Sequence, residues 1–126
     1  MQTKKDSQSC GQLFVVATPI GNLGDITGRA IDILREADII AAETIQRAKK
    51  LSSRFGFGAR IISFREANRD DAIKGILGLI SEGKKVALIS DGGAPLVSDP
   101  GRELVGAALD VGITVTPVPG ASAILG

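Results

Sequence analysis

A chain of 126 residues with 44% hydrophobic content can bury the core of one domain, which excludes a disordered or fibrous protein. It has no histidine, one cysteine (Cys10), no Trp or Tyr, and a net charge of +1. These counts exclude an intrachain disulfide, a thiol zinc cluster and any histidine base or ligand from this chain, and they argue against a base-stacking RNA surface.

The N-terminus is polar, without an apolar signal core, and no apolar run reaches membrane-spanning length; a cytoplasmic protein with no membrane partner is expected. Residues 1–11 read as a disordered tail and residues 12–126 as one α/β domain. Leu13, Phe14, Val15 and Val16 make Gln12–Ala17 a buried first strand. Thr18–Asp25 (T-P-I-G-N-L-G-D) is a loop, and Asp25 is placed to cap a helix whose buried stripe is Ile26, Ala30, Ile33, Leu34 and Ala37. Asp38–Ala42 is a second strand, followed at once by Glu43. The spacing predicts a helix over Ile45–Phe55 that ends at Gly56.

Arg60–Phe64 reads as a third strand. Asn68 is placed to cap a helix carrying Ile73, Ile76, Leu77 and Ile80 on one side, closed by Gly83. Val86–Ile89 is a fourth strand, which leaves the sheet through S-D-G-G-A-P-L-V-S-D-P-G (Ser90–Gly101). The following helix has Leu104, Val105, Ala108 and Leu109 on one face. Gly112 marks its stop, Thr114–Val118 is a fifth strand, and Pro119–Ala121 begins another strand-end loop.

Strands and helices therefore alternate, which predicts an α/β fold: a parallel β-sheet of about five strands with helices on both faces. The Gly- and Pro-containing loops after strands one, four and five then share one rim, where open α/β sheets hold ligands. Ordinary turns also favour these residues. Asp91, directly after the fourth strand, is the better ligand candidate; Asp99 before Pro100 equally suits a helix cap. G-L-I-S-E-G-K-K at Gly78–Lys85 is no phosphate loop, because it runs from helix to strand and ends in Lys. Between Arg47 and Arg69 lie seven basic residues against Glu66 alone, whereas the remainder has 8 basic and 13 acidic. The run reads either as a solvated helix face or as a patch that tracks phosphates.

Three stretches together resemble one family. T-P-I-G-N-L-G-D-I-T (Thr18–Thr27), S-D-G-G-A-P-L-V-S-D-P-G (Ser90–Gly101) and P-V-P-G-A-S-A (Pro117–Ala123) are similar to the tetrapyrrole-methylase superfamily, closest to its branch of small-subunit ribosomal RNA ribose 2′-O-methyltransferases. The resemblance covers Gln12–Gly126. It implies S-adenosylmethionine as methyl donor, ribosomal RNA of the small subunit as substrate, a homodimer, and a second α/β domain absent from this chain; with no histidine and one cysteine, no metal is expected. Donor-binding residues are then expected at Pro19, Gly21, Asn22, Leu23, Asp91, Gly92, Gly93, Ala94, Pro95, Pro119 and Gly120.

The family's A-E-D-T-R after the second strand is here Ala42-Glu43-Thr44-Ile45-Gln46, and its H-E-H-N is Arg65-Glu66-Ala67-Asn68. A ribose hydroxyl needs help to lose its proton; without histidine, Glu43 is the candidate base, beside a base from the second domain. Favourable charge at a helix start is the other reading of Glu43. Two alternatives stay open: methylation of a small tetrapyrrole-like molecule, and a non-catalytic module for nucleic-acid binding or dimerisation.

Overall fold

The computed structural model describes residues 11–18, 26–91 and 99–119. Five strands, β1 (Gln12–Thr18), β2 (Ile39–Ala42), β3 (Arg60–Ser63), β4 (Lys85–Asp91) and β5 (Val115–Val118), form one parallel sheet in the order β3-β2-β4-β1-β5. Between them run the helices α1 (Gly28–Glu36), α2 (Ile45–Phe55), α3 (Arg69–Ser81) and α4 (Asp99–Asp110), with a 3₁₀ turn at Glu66–Asn68. The expected fold class is thus the observed one.

Each apolar run feeds two cores, because successive side chains of a strand point to opposite faces. Phe14, Val16, Ile40, Ala42, Ala87 and Ile89 pack under Ala30 and Leu34 of α1 and Ala48 and Leu51 of α2. Leu13, Ile39, Ala41, Val86 and Leu88 pack under Ile76 and Ile80 of α3 and Leu104 and Ala108 of α4. A fully buried Leu or Ile contributes about 1.5–3 kcal/mol relative to exposure. The helices divide by direction of travel. β1 and β2 connect leftward through α1 and α2 on one face; β3 and β4 connect rightward through α3 and α4 on the other, as right-handed crossovers require.

The N-terminal rim of the sheet is closed by short, tightly bonded turns. Gly56, Gly83 and Gly112 all have positive φ, and Gly56 (φ 74°, ψ 42°) ends α2 with its N–H on the Ser52 carbonyl. Asp38 clamps the start of β4: its carboxylate accepts from the Lys85 N–H at 2.9 Å and its own N–H donates to the Lys85 carbonyl at 2.8 Å. Arg35 donates to the Phe55 carbonyl through Nε (3.3 Å) and Nη2 (3.2 Å), covering the end of α2. Gly11, read from sequence as the end of a tail, is buried here. Its N–H donates to the Ile80 carbonyl at 2.9 Å, and a Cβ at Gly11 would overlap the Lys84 carbonyl.

Several local expectations are corrected. The cap of α1 is Thr27, whose Oγ1 accepts from the Ala30 N–H at 3.1 Å; Asp25 lies outside the described residues. Asn68 precedes α3 but does not cap it. Its Oδ1 accepts from the Arg65 N–H at 2.7 Å and its Nδ2 donates to the Ser63 carbonyl at 3.0 Å, so it closes the 3₁₀ turn behind it. Leu109 is 58% exposed rather than on the buried face of α4. Asp99 is the first residue of α4, and Asp91 is the last residue of β4 rather than the first after it.

Candidate functional site

The C-terminal rim is built differently. β1, β4 and β5 are adjacent, with Thr18 paired to Asp91 and Val16 to Val118, so the three Gly- and Pro-containing stretches all leave from one rim. β4 exits toward the face of α3 and α4, while its neighbours β1 and β2 exit toward the face of α1 and α2. Such a divergence of neighbouring strands is a topological switch point, the usual ligand position in an open parallel sheet. The strand bodies carry Leu, Phe, Val and Ile, but β1 ends in Ala17-Thr18, β2 in Ala41-Ala42, β3 in Ser63 and β4 in Ser90-Asp91. Ala17, Thr18, Ala41 and Ala42 are all buried.

Beside this switch point, an open cleft of ≈ 570 Å³ lies between the exits of β2 and β3, lined by Glu43, Thr44, Ile45, Gln46, Ser63 and Arg65. It forms because β2 and β3 are neighbours in register. Ala42 pairs with Ser63, and the Phe64 N–H donates to the Ala42 carbonyl at 2.9 Å. Glu43 and Arg65 are both exposed there. Thr44 occupies the N-cap position of α2 without a side-chain capping bond.

The basic run does not make one patch. Arg47 and Arg69 open α2 and α3, and Arg65 follows β3, all at the C-terminal rim. Arg54 and Arg60 stand at the other rim; Arg54 lies 5.5 Å over the Phe55 ring, and Arg60 begins β3. Arg69 contacts Glu66 at 2.9 Å, Glu103 at 3.1 Å and Asp70 at 3.4 Å. The carboxylates of Glu103 and then Glu66 raise its pKa above the ordinary arginine value. This network ties the exit of β3 to the first turns of α4.

Of the residues singled out from sequence, Glu43, Asp91 and Pro119 are placed at the C-terminal rim, Pro119 exposed just past β5. Pro19, Gly21, Asn22, Leu23, Gly92, Gly93, Ala94, Pro95 and Gly120 lie outside the described residues. Missed in sequence was that Glu43 and Arg65 line one cleft, and that Asn68 holds the Arg65 main chain. The rule that consecutive βαβ strands are usually neighbours would have found it. Among the described residues, no cluster of His, Cys, Asp or Glu could hold a metal ion, and no helix is long and apolar enough to cross a membrane.

The sheet order and the helices on both faces define an open, doubly wound α/β domain. The sequence profile of the Tetrapyrrole (Corrin/Porphyrin) Methylases matches residues 12–126, and the chain belongs to that family. It is 46% identical over 122 residues to a ribosomal RNA small subunit methyltransferase I of Halalkalibacterium halodurans, covering 97% of this chain and 42% of the relative. It is 50% identical over 111 residues to the protein of that name from Mesorhizobium japonicum, covering 88% of this chain and 38% of the relative. The chain thus spans less than half the length of these two relatives. Among solved structures, a cobalamin biosynthetic enzyme, cobalt precorrin-4 methyltransferase, superposes with a TM-score of 0.76 at 19% identity, covering 95% of this chain and 49% of the other; this likeness concerns the fold.

Proposed function

We propose that the chain is the N-terminal domain of an S-adenosylmethionine-dependent methyltransferase that modifies a ribose 2′-hydroxyl of small-subunit ribosomal RNA. The observation that carries the reading is its 46% identity, over 97% of its length, to a relative named for that RNA. The tetrapyrrole enzymes share the fold at 19% identity, so a small-molecule substrate has the weaker support. A second domain, completing the cleft, and a homodimer belong to the same proposal, as does the cytoplasm, where ribosomal RNA would be met.

S-adenosylmethionine fits the rim on one observation: β4 and its neighbours β1 and β2 lead into helices on opposite faces, the switch point at which open parallel sheets hold ligands. The residues that would hold it are Pro19, Gly21, Asn22 and Leu23 after β1, Asp91 to Pro95 after β4, and Pro119 and Gly120 after β5. When bound, it supplies a methyl group activated by a positively charged sulfur. The chain's own part is to orient the acceptor and manage its proton. Glu43, at the end of β2 and next but one to β1, would accept the proton of the 2′-hydroxyl. Holding the reactants in line contributes up to about 7–11 kcal/mol in ideal intramolecular systems.

The test uses the complete gene product and a strain lacking it. Calorimetry is expected to show S-adenosylmethionine binding. Mass spectrometry is expected to show one ribose methyl group missing from small-subunit ribosomal RNA of the deletion strain. No donor binding would overturn the enzyme, and an unchanged methylation pattern would overturn the RNA substrate.

A further inference from the structure

The cleft between the exits of β2 and β3 combines features that the proposed reaction, as described so far, does not use. Its lining has one cation, Arg65, one carboxylate, Glu43, the hydroxyls of Thr44 and Ser63, the carboxamide of Gln46 and a single apolar side chain, Ile45. Among the described residues no aromatic group lines it, so the cleft offers charge and hydrogen bonds rather than stacking. Arg69, four residues after Arg65, is engaged with three carboxylates. Arg65, by contrast, makes no ion pair or side-chain hydrogen bond among the described residues, although Glu43 lines the same cleft. Its main chain is nevertheless held, because the Asn68 carboxamide bonds the Arg65 N–H on one side and the Ser63 carbonyl on the other. A guanidinium on a fixed backbone loses less freedom when it binds.

We propose that this cleft seats the acceptor strand of RNA, with Arg65 holding the phosphate beside the ribose that is methylated and Asn68 acting as its positioning residue. The inference rests on the ribosomal RNA reading above. A guanidinium fork suits two oxygens of one phosphate. The hydroxyls and carboxamide suit a ribose, and the carboxylate stands where a ribose proton would leave. The cleft lies on the β2 side of β4, and the donor is proposed at the ends of β4 and β1, so the two ligands would approach across one strand. The competing anion is the carboxylate of S-adenosylmethionine itself, and the test separates the two.

The test uses the complete gene product with unmethylated small-subunit ribosomal RNA from the deletion strain. RNA affinity is measured across a salt series, and S-adenosylmethionine affinity by calorimetry. Arg65→Gln is expected to raise the KM for RNA about tenfold, the loss of one charged hydrogen-bonding contact. It should flatten the slope of log affinity against log salt by roughly 0.7, the value for one phosphate on a single strand. Donor affinity should stay unchanged. Arg65→Lys should keep the slope while losing part of the affinity. Asn68→Ala removes two hydrogen bonds and should lower the thermal midpoint more than Arg65→Gln does, yet it should also raise the KM for RNA while leaving donor affinity unchanged, a split that a merely structural role would not produce. Arg60→Gln, at the opposite rim, should leave both slope and KM unchanged. Weakened donor binding in Arg65→Gln with an unchanged salt slope would assign the cleft to the donor and overturn the inference. An unchanged KM and slope would overturn it too, while wild-type methylation of the RNA would leave the proposed function standing. Failure of the wild type to bind RNA would overturn both.

Discussion

Asp38 and Arg35 at one rim of the sheet, and Glu43 and Arg65 at the other, are the same two chemical pairs in opposite employment. Asp38 accepts from the Lys85 N–H, and Arg35 donates to the Phe55 carbonyl; both side chains complete backbone hydrogen bonding where strands begin and helices end. Glu43 and Arg65 line an open cleft at the strand ends, and Arg65 has no side-chain partner among the described residues. Among the described residues, Asp38 and Arg35 at the N-terminal rim therefore serve the fold, and Glu43 and Arg65 at the C-terminal rim are exposed in a cleft. Substitutions should separate the two: lost stability at the first rim, lost activity at the second.

The largest expected effect lies at the ligand rim. Glu43→Gln in the complete gene product should lower kcat for RNA methylation by about 10²–10⁴-fold, the range for removing a general base. Its urea midpoint should remain that of the wild type, since Glu43 is exposed. Unchanged kcat would place the base elsewhere, in the second domain. Next comes Gly11→Ala, where the new methyl group meets the Lys84 carbonyl and the backbone must move; a loss of about 3 kcal/mol is expected by denaturant unfolding. Gly56→Ala meets no atoms within 4 Å, so only its left-handed φ of 74° counts. A loss of about 1–2 kcal/mol should appear there. Asp38→Ala removes one acceptor at the start of β4, for about 1 kcal/mol. A rim substitution that reversed this pattern, stabilising the fold at Gly11 or unfolding it at Glu43, would break the comparison.

Much of the fold is legible because it is local. The apolar runs, the 3.6-residue spacing and the glycines at 56, 83 and 112 mark the strands, helices and turns to within a residue or two. What is not legible has physical causes. Asp25 and Thr27 both carry a capping oxygen just before α1, and only the backbone path shows that Thr27 reaches the Ala30 N–H. Asn68 likewise turns back to Ser63 and Arg65, because the 3₁₀ turn brings those groups closer than the first turn of α3. On α4, Gly101, Leu104 and Ala108 form a narrow buried stripe that leaves Leu109 outside it. The strand order is set by pairing between distant segments, such as β1 with β4, which no local pattern encodes. The shared cleft of Glu43 and Arg65 is different: β2 and β3 are consecutive strands that lie side by side, as the rule for βαβ units leads one to expect.

Hydrogen–deuterium exchange of the complete gene product, with and without S-adenosylmethionine, tests the assignment of the two rims most directly. Protection on donor addition is expected in peptides spanning residues 18–27, 91–99 and 118–120, with no change at residues 56–60, 83–85 and 112–114. Protection confined to the latter group would contradict the account, because it would put the ligand at the rim where the glycine turns, Asp38 and Arg35 close the fold.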